Sequence, residues 1–365
     1  MVKICHMTSA HPRYDVRIFE KECVALCESG YEVFLIVNDF LENENCRGIN
    51  ILSVPCKTES RLKRFVYAAK KVYEKALEVD ADIYHFHDPE LLPYGLKLKR
   101  KGKKVIFDSH EDVPSQILDK EWILAFLRRI ISGFYKIFES YGVKRIDAVV
   151  AATPHIAEQF KGRAKIVEVV NNYPKLDDII FHDKPFAERK KIVCYAGGIG
   201  EIRGENVMVE AMAGIDADMV LAGDREGGPV TDTEDRRVRY LGKISRKEVN
   251  ELYGSSRVGM LLYQPAQNHY EAQPIKMFEY MAAGLPFVAS NFPLWKSIVE
   301  ENGCGICVDC GKADEVRAAV VELLEDPRRA QEMGRNGRRA VETRYNWNVE
   351  EKKLVSLYRD LLGKG

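Results

Sequence analysis

Residues 268–291, NHYEAQPIKMFEYMAAGLPFVASN, place Glu271 and Glu279 eight positions apart, with Pro274 and Lys276 between them. Pro274 suits the first turn of a helix, where its missing N–H costs nothing. Ile275, Phe278 and Ala282 then share one face, and Gly284 ends the helix. A helix that starts at a loop offers free N–H groups and the positive end of its dipole, which is an anion site with phosphate as the usual guest. Lys276 adds a charge there, with Gln273 and Ile275 beside it. A carboxylate would repel that phosphate but accepts hydrogen bonds from hydroxyls. Glu271 stands ahead of the helix start, and Glu279, one turn inside, reaches a vicinal diol. A diphosphate flanked by two sugars is the shape of a nucleotide-sugar. Spacing alone equally allows a solvated loop glutamate and a helix-surface glutamate.

Other residues suited to chemistry sit at strand ends. In YAGGIGEIRGEN (195–206), Gly197, Gly198, Gly200 and Gly204 surround Arg203. Glycines let a backbone approach a diphosphate closely, although alone they also describe a plain strand-to-helix turn. His110, in FDSHEDVP, follows an apolar strand at the carboxyl end, where open α/β sheets hold ligands. His87, Asp88 and Glu90 occupy the previous strand end, where Asp88-Pro89 also reads as a helix start. Asp15 and Arg17 follow the first strand. They form either a polar loop that meets an acceptor or diphosphate, or a helix cap with an exposed arginine. Cys304, Cys307 and Cys310 have metal-like spacing, but no fourth ligand is evident nearby, so structural cysteines are the preferred reading.

These residues need a scaffold of alternating elements. VKICHM, YEVFLIV, NILSV, DIYHFH, KKVIFD and DAVVAA read as strands, mostly continuously apolar as in a parallel sheet buried on both faces. Helical patterns cover 17–29, 61–78 and 89–101. The alternation breaks in the proline- and charge-rich stretch 171–191. It restarts with IVCYAGG, ADMVLAG, VRYLG, RVGMLLY, PFVAS and GICVD. The expected fold is α/β: two Rossmann-like, doubly wound domains facing a cleft. The expected boundaries are 1–172, a linker 173–190, a second domain 191–345, and a helix 346–365 crossing back to the first.

The 365 residues carry no net charge, so no global field points to nucleic acid. No apolar run is long enough to span a bilayer. The start reads as a strand rather than a signal peptide, and nine cysteines then indicate reduced thiols in a cytoplasmic protein. Two basic, apolar segments, 61–79 and 121–145, fit either an anionic membrane face or ordinary helices with one packed side.

The segment KMFEYMAAGLPFVAS, with Glu271 and Glu279 before and within it, resembles the Glu-seven-Glu motif of retaining glycosyltransferases of the GT-B fold, family 4 (glycosyl transferases group 1). HPRYDVRIFEKE, HFHDPELLPYGLKLK, VIFDSHEDVP and ATPHIAE resemble a bacterial branch of that family linked to exopolysaccharide and cell-envelope glycan synthesis. The resemblance covers nearly the whole chain. It implies that Glu271 holds hydroxyls of the transferred sugar near the anomeric centre and that Glu279 holds the ribose. It also implies that His110 faces the donor sugar's distal hydroxyl and the developing charge. Two departures matter. Ala272-Gln273-Pro274 stands where the family often has Gly-Phe-Gly, which leaves phosphate binding to neighbouring amides such as those of Gln273 and Ile275. Arg203 matches a family lysine, while Gly198 stands where an arginine is usual.

The leading expectation is therefore a retaining transfer of a sugar, UDP-linked within the family prior and GDP-linked as the open alternative, to a glycan or lipid-linked acceptor. Donor binding falls to Gly198, Arg203, Gln273, Ile275, Lys276 and Glu279, catalysis to His110 and Glu271, and acceptor binding to Asp15, Arg17, His87 and Glu90. No metal or other cofactor is expected, and no covalent nucleophile of the protein's own is needed, because the leaving diphosphate can take the acceptor's proton. The location expected is cytoplasmic, peripheral on the inner face of the plasma membrane. Two alternatives are a nucleotide-sugar epimerase of the same two-domain fold and an inactive sugar-nucleotide-binding regulatory subunit. A dehydrogenase is disfavoured, since neither first strand is followed by Gly-x-Gly-x-x-Gly.

Overall fold

The computed structural model describes residues 1–56, 61–119, 124–227 and 236–363. The chain forms two compact units, Met1–Asn172 with Asn348–Gly365, and Tyr173–Trp347. The first is built on strands β1 (Lys3–Met7), β2 (Glu32–Val37), β3 (Glu44–Cys46), β4 (Ile49–Ser53), β5 (Ile83–Phe86), β6 (Lys104–Ser109), β7 (Ala148–Ala151) and β8 (Val167–Val169). Their order is β3-β4-β2-β1-β5-β6-β7-β8, parallel throughout except for the β3–β4 pair. The second unit has β9 (Ile192–Ala196), β10 (Asp218–Ala222), β11 (Val238–Tyr240), β12 (Val258–Leu261), β13 (Phe287–Ser290) and β14 (Gly305–Val308). These run in the order β11-β10-β9-β12-β13-β14, all parallel.

Both sheets are doubly wound, and in each the strand order reverses beside the first strand, at β1/β5 and at β9/β12. Ligands of such sheets sit beyond the carboxyl ends at that reversal. The apolar runs expected as strands are strands, because a parallel strand covered on both faces has no polar side to show. Two short strands went unread. β3 (ENC) is polar and sits at an edge, in a hairpin closed by Arg47 and Gly48 at φ 55° and 84°. β8 (VEV) is three residues long.

The helix Trp347–Leu361 clusters with the first unit from Asn348 onward, burying Leu354, Leu357, Tyr358 and Leu361. Its Glu350 carboxylate accepts the backbone N–H of Asn171 at 2.8 Å.

The two basic helices part company. In Arg61–Val79, Ala68, Ala69, Val72 and Ala76 are buried, as an ordinary packed helix requires. The side chains of Arg61, Lys63 and Arg64 lie outside the described residues, as do residues 121–123. Ala125–Val143 instead exposes Phe126, Ile130, Phe134, Ile137 and Tyr141, with Phe134 and Ile137 each 68% accessible. Among the described residues no helix is long and apolar enough to cross a membrane. Burial pushes the Cys304 and Cys307 thiols up to about 12.

Candidate active site

In the second unit the helix Ile275–Ala283 starts after Pro274, which is its N-cap at φ −67°, ψ 128°, and ends at Gly284, φ +66°. Its first N–H groups have no intrahelical partners. Glu279, one turn in, is not a surface residue: it is 2% exposed. Its Oε2 accepts Lys276 Nζ at 2.8 Å and Tyr253 Oη at 3.1 Å, and its Oε1 lies 2.8 Å from an Arg246 terminal nitrogen. Burial opposes the charge, but Lys276 and Arg246 outweigh it and hold the carboxyl below its ordinary range. A carboxylate kept ionised inside a helix start has lone pairs to offer to hydroxyls, not to phosphate.

Glu271 is exposed and closes the short helix Gln267–Tyr270. The backbone beside it is fixed, because the indole N–H of buried Trp295 donates to the Ala272 carbonyl at 2.7 Å. Gln273 accepts from Tyr173 Oη at 2.9 Å.

The turn after β9 adjoins this helix start. A Cβ on Gly197 would lie 3.4 Å from Lys276 Cε. Gly198 is exposed, with nothing within 4 Å of where its Cβ would be. Two glycines are obligatory. Gly204 (φ +83°) would drive a Cβ to 2.0 Å from the Leu262 carbonyl oxygen, and Gly223 (φ +137°) to 1.8 Å from that of Gly197. Arg203 ends the turn Glu201–Arg203 with its guanidinium 4.2 Å from the Tyr263 ring centroid. The His269 ring packs tilted against Tyr263, centroids 5.1 Å apart, and its Nδ1 donates to the Gln264 carbonyl at 2.7 Å, so Nε2 is the acceptor when the ring is neutral.

In the first unit, the carboxyl ends of β1, β5 and β6 converge on a polar cluster. Asp108 is buried. Both its oxygens accept from Arg17, at 2.8 and 2.9 Å, and Oδ2 also accepts His110 Nε2 at 2.8 Å and His87 Nδ1 at 3.1 Å. Asp88 accepts Thr8 Oγ1 at 2.8 Å and the Ser9 N–H at 2.6 Å, tying the β1 end to the β5 end. Ser9 Oγ donates to Glu90 at 2.8 Å. Burial, with Asp88 nearby, pushes the Glu90 carboxyl up to about 7.

The expected acceptor residues therefore divide. Glu90 remains partly open, as does His110, expected to be catalytic. Asp15 accepts the backbone N–H groups of Arg17 and Ile18 at 2.8 and 2.9 Å, which is a capping role. Arg17 and His87, expected as acceptor residues, are 4% and 3% exposed and are held by Asp108, Glu22 and neighbouring histidines. Arg17 is not the exposed helix residue either, because a buried Asp108 requires a cation beside it.

Sequence reading missed Arg246, Asp108, His11 and His269. Arg246 follows a capping box, Ser245 with Glu248, which marks a helix start at a strand's carboxyl end and was legible in SRKE. His11 lies 3.5 Å from both Asp15 and Asp88, and its ring centroid is 5.1 Å from that of His110. Among the described residues, two groups bring ligand-type atoms within 4.8 Å of one another: His6, Glu22, His85 and His87; and His87, Asp108 and His110.

The family description "Glycosyl transferases group 1" matches residues 177–340, and "Glycosyltransferase Family 4" matches residues 18–172. An alpha-D-kanosaminyltransferase of Streptomyces kanamyceticus is 25% identical over 259 residues, 64% of this chain and 65% of that protein. A GDP-mannose-dependent alpha-(1-6)-phosphatidylinositol monomannoside mannosyltransferase of Mycobacterium tuberculosis is 28% identical over 188 residues, 47% of this chain and 48% of its own length. The match thus spans half to two thirds of these relatives. Among solved structures, Anabaena HepE in complex with UDP and glucose superposes with a TM-score of 0.73 at 13% identity, covering 99% of this chain and 100% of that one.

Proposed function

We propose a donor, an acceptor and a stereochemistry for this chain, which belongs to the group 1 glycosyl transferases and has their GT-B fold. The donor is a nucleotide-diphosphate sugar, UDP-linked. The sugar passes with retention to a hydroxyl of a glycan or lipid-linked acceptor in cell-surface polysaccharide synthesis, in the cytoplasm. The observation that carries this reading is Glu279, buried yet held ionised by Lys276 and Arg246 inside an anion-binding helix start. That pairing suits a diphosphate at the N–H groups and a ribose diol at the carboxylate.

In this reading Glu279 accepts from the ribose, and the amides near Gln273 and Ile275 face phosphate. Arg203 and the Gly197–Gly198 turn flank the diphosphate, and Lys276 supplies charge where Gly198 replaces an arginine. Glu271 accepts from hydroxyls of the transferred sugar, His110 meets its distal hydroxyl, and Glu90 faces the acceptor. Departure of the diphosphate and attack by the acceptor occur on one face of the sugar, and the leaving oxygen takes the hydroxyl proton. The protein's part is positioning and stabilisation of leaving charge, with no metal called upon. A GDP-sugar is the second reading, favoured by the mannosyltransferase relative named above. Calorimetric titration with UDP and with GDP tests both. Binding of neither would remove the donor reading.

Arg203→Ala is expected to weaken binding of the free nucleotide by about tenfold, the worth of one charge-assisted contact. Unchanged affinity in the same titration would take Arg203 off the phosphate.

An anionic membrane surface is the proposed neighbour of the helix Ala125–Val143. Its exposed apolar residues are interleaved with exposed Arg129 and Lys136 and followed by exposed Lys144 and Arg145, as suits an in-plane helix. Flotation with anionic vesicles should carry the protein at low salt and release it at high salt. Phe134→Ser with Ile137→Ser should weaken this binding by at least about tenfold, since each side chain contributes about 1.5–3 kcal/mol when buried. Flotation unaffected by the double change would place any membrane contact elsewhere.

A further inference from the structure

His110 is the end of a hydrogen-bonded chain that runs through the first unit to the C-terminal helix. His110 Nε2 and His87 Nδ1 both meet Asp108 Oδ2, at 2.8 and 3.1 Å. His87 Nε2 meets His6 Nδ1 at 2.9 Å. Tyr358 Oη lies 3.3 Å from His6 Nε2 and 2.8 Å from His85 Nδ1. The members come from β1, from β5 and the residue after it, from β6 and the residue after it, and from the helix Trp347–Leu361.

We propose that Asp108, locked by Arg17, fixes the proton of His110 on Nε2, so that His110 works through Nδ1 alone as the acceptor of a sugar hydroxyl's hydrogen bond. This rests on the reading of His110 as a donor-sugar residue.

The argument is one of direction. A carboxylate can only accept. The two-pronged contact from Arg17, at 2.8 and 2.9 Å, is that of an ionised carboxylate. Both nitrogens that face Oδ2 must therefore carry hydrogens. His87, His6 and His85 are buried, and a ring taken out of water favours its neutral form. With His87 protonated on Nδ1, its Nε2 is bare and accepts from His6 Nδ1–H. His6 Nε2 is then bare and accepts from Tyr358 Oη–H, whose oxygen accepts from His85 Nδ1–H. The chain must finish on a bare His85 Nε2. That atom is buried without a hydrogen-bond partner among the described residues, so no contact at this end imposes the opposite direction. Glu22 is the remaining group against the chain, 4.0 Å from His6 Nδ1 and 3.8 Å from His85 Nδ1. Both distances are beyond hydrogen-bond reach, and its Oε1 faces Arg17 Nε at 3.1 Å. His11, beside His110, approaches Asp15 and Asp88 rather than Asp108. Among the described residues Nδ1 of His110 makes no hydrogen bond, and the side chain keeps 17% exposure.

Asp108 and Arg17 are thus positioning residues. His110 can accept from a hydroxyl, but a ligand oxygen that can only accept gains nothing from Nδ1 unless a proton is added there. The rival occupant is a divalent cation on His87 Nδ1, Asp108 Oδ2 and His110 Nε2, which would strip both nitrogens of hydrogen.

The test is histidine ring 15N NMR on the full chain, with assignment by single His→Asn variants among only eight histidines. Expected are a protonated Nε2 on His110 at every pH at which the protein is folded, and protonated Nδ1 on His87, His6 and His85. Asp108→Asn should replace the single His110 form by a mixture of tautomers. A bare Nε2 on wild-type His110 would overturn the proposal, whether it arises from the Nδ1–H tautomer or from zinc retained in the purified protein. So would an unchanged His110 spectrum in a folded Asp108→Asn protein. If that variant fails to fold, His87→Asn serves: His110 should keep its Nε2 proton, because Asp108 remains, and loss of it would equally overturn the assignment. Calorimetry with UDP-glucose and GDP-mannose separates the two readings. Unchanged binding of both to His110→Ala, with the wild-type tautomer as expected, would remove His110 from the donor sugar and leave the positioning by Asp108 intact.

Discussion

Glu271→Gln is expected to lower kcat by about 10²–10³-fold, the usual cost of one preorganised polar contact to the reacting centre, and to leave the affinity for free nucleotide within about twofold. Glu271 is exposed at the end of a short helix, yet its backbone is not loose, because Trp295 pins the adjacent Ala272 carbonyl at 2.7 Å. A carboxylate on a fixed backbone is suited to follow a sugar hydroxyl as the ring flattens during bond breaking. A contact that strengthens only there appears in kcat rather than in nucleotide binding. Glutamine keeps the size and one acceptor oxygen, and at an exposed position it leaves the fold undisturbed. Steady-state kinetics with the nucleotide-sugar identified by titration reads the effect. An intact kcat with a weakened nucleotide would assign Glu271 to the nucleotide and reverse the proposed order of the two glutamates.

Much of the scaffold was legible because parallel strands covered on both sides are written as unbroken apolar runs. β3 escaped because ENC has a single small apolar residue, too little for an alternating or continuous pattern, and its pairing is a property of the hairpin. The helix Ile275–Ala283 was bounded by Pro274 and Gly284, and both act as expected of their types. What sequence could not show is pairing at a distance. Arg17 and Asp108 are 91 positions apart, and meet only because β1 and β6 flank β5 with their carboxyl ends on the same side. Arg17 therefore read as a helix-surface or ligand residue, and Asp108 as the end of a strand. Arg246 reaches Glu279 by the same kind of convergence. Periodicity was equally mute on the two basic helices. Their patterns match, and only the sheet beneath decides that Arg61–Val79 packs its stripe while Ala125–Val143 leaves Phe134 and Ile137 exposed.

That burial of Glu279 changes what its substitution should do. A solvated glutamate could be exchanged for glutamine without cost. Here Glu279→Gln leaves Lys276 and Arg246 facing a neutral amide, and breaking such a partly buried network should cost about 2 kcal/mol of stability at neutral pH. The pH dependence has a definite sign. The folded carboxyl is held below its ordinary 4.5, so its stabilisation is fully present above that value and is lost as pH falls through the lower folded value. The stability gap between wild type and Glu279→Gln, read by urea unfolding, should therefore be widest near neutrality and close as the pH drops below about 4.5. The same substitution should weaken free UDP or GDP by at least about tenfold, since one hydroxyl contact to a charged acceptor is worth about 1.5–3 kcal/mol. At saturating donor it should leave kcat nearly intact, because the ribose is remote from the breaking bond. Titration well below both unfolding temperatures keeps the stability loss out of the binding measurement. A stability gap with unchanged nucleotide affinity would make Glu279 a structural anchor for Lys276 and Arg246. The absence of any gap would show that the two cations do not depend on the carboxylate.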